Sequence, residues 1–230
     1  MGKSIISFFA IFCCFAASLC SDKKNLDEDL RIAEVIKLEL GKANPLWDCT
    51  SDNFSVSYRN GGLDIFLCGE NITDLTPLTN LNFDTVFLMN VNINNVNFLS
   101  NSQKLRMLIV INNNDGRVMA LDILGLKDKC LEKFCVKNVE LLNADIIKDM
   151  PFKTLQFQNV NGVRFCDFTN LGRLETFIAT GCNVGDLSFL QKCENLKYID
   201  ISNSAVSNIS AIKHILDRVN KRKEFRIISL

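Results

Sequence analysis

The chain is 230 residues long and 47% hydrophobic, enough for one domain with a sizeable core. Its 26 basic and 26 acidic residues cancel, so the composition encodes neither a basic nucleic-acid surface nor an acidic tail. A single histidine leaves little material for acid–base or metal-binding constellations.

Met1–Cys20 carries Lys3, an apolar run from Ile5 to Leu19, and small residues at Ser18 and Cys20. That layout predicts a secretory signal peptide over 1–20, cleaved after Cys20. The run falls short of the ~20 apolar residues that a bilayer requires. The expected mature product is secreted and has no membrane segment. Ser21–Lys42 begins polar and turns amphipathic, with Leu30, Ala33, Val35, Ile36, Leu38 and Leu40 largely on one helical face and Gly41 as a stop signal. A helix here would cap the open edge of whatever follows. Pro45–Gly61, with Trp47 and a strand around Ser55–Tyr58, completes a cap over 21–61.

From Gly62 onward the chain repeats. Units begin at Gly62, Phe83, Leu105, Leu131, Phe152, Leu174 and Leu196, in steps of 21, 22, 26, 21, 22 and 22 residues. Counting from those starts, positions four and six hold Ile65/Leu67, Val86/Leu88, Leu108/Val110, Phe134/Val136, Leu155/Phe157, Phe177/Ala179 and Ile199/Ile201. The return side carries apolar anchors at every third residue, as in Ile72, Leu75 and Leu78. Such a unit cannot bury its apolar edge alone and must stack on its neighbours. The 26-residue step contains Asn112–Lys129, where Asn114-Asp115-Gly116 signals a turn and Val118, Leu121, Ile123, Leu124 and Leu126 suit a short helix. At the far end His214–Val219 reads as helix and Phe225–Leu230 as a closing strand.

The units resemble leucine-rich repeats of the short, roughly 22-residue class found in internalins, and Asn71–Leu78 (N-I-T-D-L-T-P-L) carries the pattern most fully. The resemblance implies an α/β leucine-rich repeat solenoid over 62–217, with a parallel concave β-sheet, a short irregular or helical convex side, a helical N-terminal cap and a C-terminal cap strand over 218–230. One departure stands out. The family places Asn at position nine, where only Asn113 matches, whereas position eight holds Asn90, Asn112, Asn138, Asn159 and Asn203. Either the turn is built differently or these amides face a ligand.

Removal of the leader leaves seven cysteines, an odd number, so at least one thiol stays free or pairs with another chain in a disulfide-linked multimer. Cleavage after Ala17 would retain Cys20 and make eight. Cys49–Cys68 is the expected bridge, stapling the cap to the first strand, while Cys182 and Cys193 occupy core-type positions. Without a C-x-x-C pair, no zinc site is expected. Asn53, Asn71 and Asn208 head glycosylation sequons.

No phosphate-binding, dinucleotide, metalloprotease or serine-hydrolase motif occurs. Asp74 and Asp186 recur at equivalent turns, but five stacked units put them roughly 24 Å apart, too far for paired-carboxylate chemistry. The expectation is a non-enzyme without cofactor or metal. Strand alternation turns positions three, five and seven outward. The early units would then display Phe66, Phe87, Met89, Met107, Ile109 and Ile111 together, with Tyr198 and Asp200 as a polar rim further along. An exposed apolar strip predicts a protein partner on the concave face, unless the cap or the Asn112–Lys129 interval folds over it. The resulting expectation is a secreted protein-binding module, an effector or adhesin-like factor. The alternatives are a self-assembling surface or wall component and an inhibitor or regulatory subunit of an enzyme.

Overall fold

The computed structural model describes residues 26–59, 61–113 and 118–208, together with Ser210, Lys213 and the pair Arg226–Ile227. The leader over 1–20 and the helix expected at His214–Val219 lie outside the described residues. The described residues open with α1 (Leu26–Ala43) and continue through β1 (Phe54–Arg59), β2 (Gly62–Cys68), β3 (Phe83–Met89), β4 (Met107–Ile111), β5 (Met119–Asp122), β6 (Lys133–Lys137) and β7 (Val139–Leu142). It then runs through β8 (Thr154–Gln158), β9 (Thr176–Thr180), β10 (Asn183–Asp186), β11 (Tyr198–Asp200), β12 (Ala205–Asn208) and β13 (Arg226–Ile227). Nine of these strands form one sheet in the order β1-β2-β3-β4-β6-β8-β9-β11-β13. β1 pairs antiparallel with β2, and every other neighbour is parallel. The fold is α/β with a mostly parallel sheet and few helices.

The spacing of apolar residues explains the register. Positions four and six alternate onto one face of each strand, and all fourteen such residues are buried in a single core. Short 3-10 turns such as Thr76–Leu78, Asn97–Leu99 and Leu187–Lys192 return the chain and fill that core from the other side. In the later units the filling is aromatic. The Phe165 ring lies 5.2 Å from Phe157, 5.8 Å from Phe177 and 6.3 Å from both Phe168 and Phe189, edge-on or stacked.

Most strands are stopped by a turn whose chemistry answers the Asn question, β4 with Asn112 being the exception. Asn90, Asn138, Asn159 and Asn203 at position eight have φ of 51–57°, and Gly69 and Gly181 at the same position also have positive φ. Asn and Gly are the residues that enter this left-handed region at least cost. The turned backbone aims its N–H along the stack: Asn90 donates to the Ile111 carbonyl at 2.7 Å, Asn138 to Gln158 at 2.8 Å and Asn159 to Thr180 at 2.9 Å. The amides also chain together, Asn138 Nδ2 donating to the Asn112 carbonyl at 2.7 Å and Asn159 Nδ2 to Asn138 Oδ1 at 3.0 Å. The Asn residues build the turn. At Gly181 a Cβ would sit 2.1 Å from Asn159 Oδ1, so the ladder itself requires glycine there.

Three local expectations are corrected. The helix runs two residues past Gly41, and only Ile36 and Leu40 of its apolar set are fully buried, while Leu30, Val35 and Leu38 face outward. The Asn112–Lys129 interval holds β5 and a 3-10 turn (Leu124–Leu126) in place of a short helix. β5 pairs with β7 in a separate two-stranded sheet, so this part of the interval extends the return side of the units. Its turn packs so closely that a Cβ on Gly125 would meet the Val96 carbonyl oxygen at 2.3 Å.

The cap is held by Asn44, which is 1% exposed. Its Nδ2 donates to the carbonyls of Leu40 (3.0 Å) and Asp74 (2.8 Å), and its Oδ1 accepts from the N–H groups of Thr73 (2.8 Å) and Asp74 (2.9 Å). One side chain thus closes the helix end onto the first unit with every polar atom used. Gly181→Ala should cost about 2 kcal/mol or more, from the left-handed backbone and the Asn159 contact together. Gly172→Ala, with open space around its Cβ, should cost far less. Urea titration of both variants checks the contrast.

Candidate partner-binding face

The register places the outward rows as parallel strands demand. The fifth-position row runs Phe66, Phe87, Ile109, Cys135, Gln156, Ile178, Asp200 across β2, β3, β4, β6, β8, β9 and β11. Asp64, Thr85, Met107, Lys133, Thr154, Thr176 and Tyr198 form the third-position row, and Cys68, Met89, Ile111, Lys137, Gln158 and Thr180 the seventh. On this face, away from the main core, Phe66, Phe87, Ile109, Ile111 and Cys135 make a second apolar cluster, with Cys68, Met89 and Met107 half-buried around it. The rings of Phe66 and Phe87 meet edge-on at 5.1 Å.

The cluster is not the exposed strip that the sequence suggests. Its five central residues are 1–6% exposed, so Met89, Met107 and Cys68 are the accessible edge and the phenylalanines and isoleucines the floor. Among the described residues, the apolar side chains packed on it all belong to β2, β3, β4 and β6 themselves, and neither α1 nor β5 contributes. The floor ends at Gln156, 3% exposed, whose Oε1 accepts from the Cys135 thiol at 3.7 Å. Lys133 lies half-buried at the border, beside Met107 in the register. Across β1, Ser57 pairs with Asp64, and the Ser57 hydroxyl is buried without a hydrogen-bond partner among the described residues.

Tyr198 and Asp200 are not part of this site. Four strand spacings separate Asp200 from Ile109, roughly 19 Å, and Asp200 is engaged locally, accepting from Ser202 N–H (3.0 Å) and Ser202 Oγ (2.7 Å). Burial first, and then the Asp200 charge, push the Tyr198 phenol above its usual pKa.

Cys49, Cys68, Cys130, Cys135, Cys166 and Cys182 are free thiols. Cys49 packs against the main core and Cys68 against the second cluster, so the two expected to bridge lie on opposite faces of the sheet and are not joined. Cys182 and Cys193 are buried in the core, while Cys130 and Cys166 are exposed. Of the sequon residues, Asn71 and Asn208 are exposed, whereas Asn53 is half-buried with both ends of its amide bonded, to Asp48 O at 2.6 Å and Thr50 N at 2.7 Å. Asp74 and Asp186 cap the N–H groups two residues on, Thr76 and Ser188, each at 2.8 Å, and Asp122 does the same for Leu124.

A feature that sequence reasoning missed lies at position two. Asp84, Arg106, Glu132, Lys153, Glu175 and Lys197 alternate in sign, and each backbone N–H from Arg106 onward donates to the carbonyl of the member before it at 2.8–2.9 Å. The side chains pair as Arg106–Asp84, Lys153–Glu132 and Lys197–Glu175. The alternation was readable once the units were aligned. Among the described residues no group of His, Cys, Asp and Glu could hold a metal ion, and no helix is long and apolar enough to cross a membrane. No protein-family model matches the chain, and no curated protein matches it.

Burial pushes the Cys135 thiol up to about 12 from an ordinary 9.0. The folded state therefore keeps a proton that the unfolded chain gives up, so this thiol's contribution to stability is complete below pH 9 and is lost as pH rises from about 9 towards 12. At pH 8, iodoacetamide should label Cys130 and Cys166 while Cys135 stays unmodified until the protein is unfolded. Peptide mass mapping with and without urea tests this.

Proposed function

We propose that this chain is a secreted leucine-rich repeat solenoid that binds a partner protein through the sheet face bearing Phe66, Phe87, Ile109 and Ile111. The observation that carries the reading is the second apolar cluster. Among the described residues this sheet carries a second hydrophobic layer, separate from its main core and on the opposite face. Aromatic and sulfur-bearing side chains suit the centre of an interface, because they supply large contact area at low rotamer cost and adapt in shape. A partner would approach across Met89 and Met107, then reach the phenylalanine floor. Lys133 at the border offers a cation to an acidic group on that partner. The repeated units, the strand register and the 3-10 return turns support the solenoid assignment, and the leader read in Met1–Cys20 supports export. The half-buried acidic residues Asp74 and Asp186 act as turn caps, in keeping with a non-enzymatic role.

A self-assembling surface component is the second reading. It is favoured by the exposed thiols of Cys130 and Cys166, which an oxidising compartment could join between chains. Ladders on non-reducing electrophoresis that collapse when both are changed to serine would support it.

The test of the first reading is a pair of variants, Phe87→Ser with Ile109→Ser on the proposed face and Leu124→Ser on the return side, where Leu124 is 48% exposed. Partners captured by the immobilised wild-type protein should be lost with the first pair and kept with the second. Retained capture by a folded Phe87→Ser/Ile109→Ser protein would refute the interface. Loss of folding in that variant would instead mark the cluster as a second structural core.

A further inference from the structure

α1 joins the rest of the chain through Ile36 and Leu40, with Ile32 half-buried beside them. Its opposite side, otherwise charged, carries three more apolar side chains. Leu30, Val35 and Leu38 are 56%, 62% and 59% exposed, and Leu46, just past the helix, is 79% exposed. At about 100° per residue, the first three fall on the side of the helix away from the Ile32–Ile36–Leu40 stripe. A helix that only closed the end of the sheet would need one apolar stripe, and a second is a cost in water unless something covers it.

The charges around that stripe say what fits. Arg31 and Glu39 stand four residues either side of Val35 and are both exposed. A two-fold axis at Val35 therefore sets Val35 against Val35, and places Arg31 of each copy opposite Glu39 of the other. A membrane surface would ask for a basic face, whereas Leu26–Ala43 carries five acidic and three basic residues. We propose that the outer face of α1 is the contact between two copies of this chain, packed antiparallel about an axis at Val35. The contact is closed, so it yields dimers and not fibres. It leaves the second apolar cluster untouched and stands or falls independently of that face. An 18-residue helix is about 27 Å long, so the interface is small.

The test is sedimentation equilibrium of the protein secreted from the full chain, held in reducing buffer so that thiols cannot link copies. A reversible dimer is expected. Leu38→Glu should leave only monomer, Arg31→Glu should raise the dissociation constant about tenfold or more through like-charge contact, and Arg31→Glu with Glu39→Arg should restore it. These positions are exposed, so circular dichroism should show an unchanged fold. A monomer at every concentration, a dimer indifferent to Leu38→Glu, or a double exchange that fails to rescue would each overturn the proposal.

Discussion

Everything in this structure depends on how each strand is brought to a stop. At position eight Gly69, Asn90, Asn138, Asn159 and Gly181 turn into the left-handed region, and each of them, like Asn112, donates its N–H to the carbonyl of the next unit's seventh residue. That single bond fixes neighbouring strands in register, and register decides which side chains face the core. A slip of one residue would carry the whole Ile65-to-Ile199 row out of the core and bring Phe66, Cys135 and Gln156 into it. Asn serves as well as Gly because its amide, once the backbone has turned, finds partners on the adjacent units. The ladder is a structural answer to a problem that also invites a functional reading from sequence, since rows of amides resemble a recognition surface.

The position-two ladder reinforces the same register by electrostatics. Asp84 meets a bidentate Arg106, and two Lys–Glu pairs continue the row at the strand entrances. The lysine pairs are well exposed, so each adds at most a few tenths of a kcal/mol to ~1 kcal/mol. Their larger effect is discriminatory. Displacing a strand by one whole unit would set like charge against like, whereas the native order sets opposite charges side by side at each step from Asp84 to Lys197.

Much of this was legible from spacing. The period near 22 residues, the buried pairs at positions four and six and the three outward rows follow from counting residues, because strand alternation leaves no freedom once the start of a unit is fixed. Exposure was not legible. Alternation shows which face Phe87 and Ile109 occupy and says nothing of how deeply they are buried there. The outward turn of Val35 and Leu38 was hidden for a related reason: an apolar helix pattern wide enough for two stripes does not say which one meets the core. That Cys49 and Cys68 pack on different clusters was not legible either, and β5 does not read as a strand because four residues carry too few periods to distinguish. Asn44 carried no signal beyond its place at the end of a helix.

The central claim is that successive units lie side by side in one register, with their seventh-position residues in a row. Spin labels report this directly. With Cys49, Cys68, Cys130 and Cys166 changed to serine, one label at Met89→Cys and a second at Lys137→Cys, Gln158→Cys or Thr180→Cys sample two, three and four strand spacings. The separations should climb in nearly equal steps of about 4.8 Å, from roughly 10 to roughly 19 Å between backbones. Separations that fail to rise in that order, or that jump by more than one spacing between consecutive pairs, would contradict it.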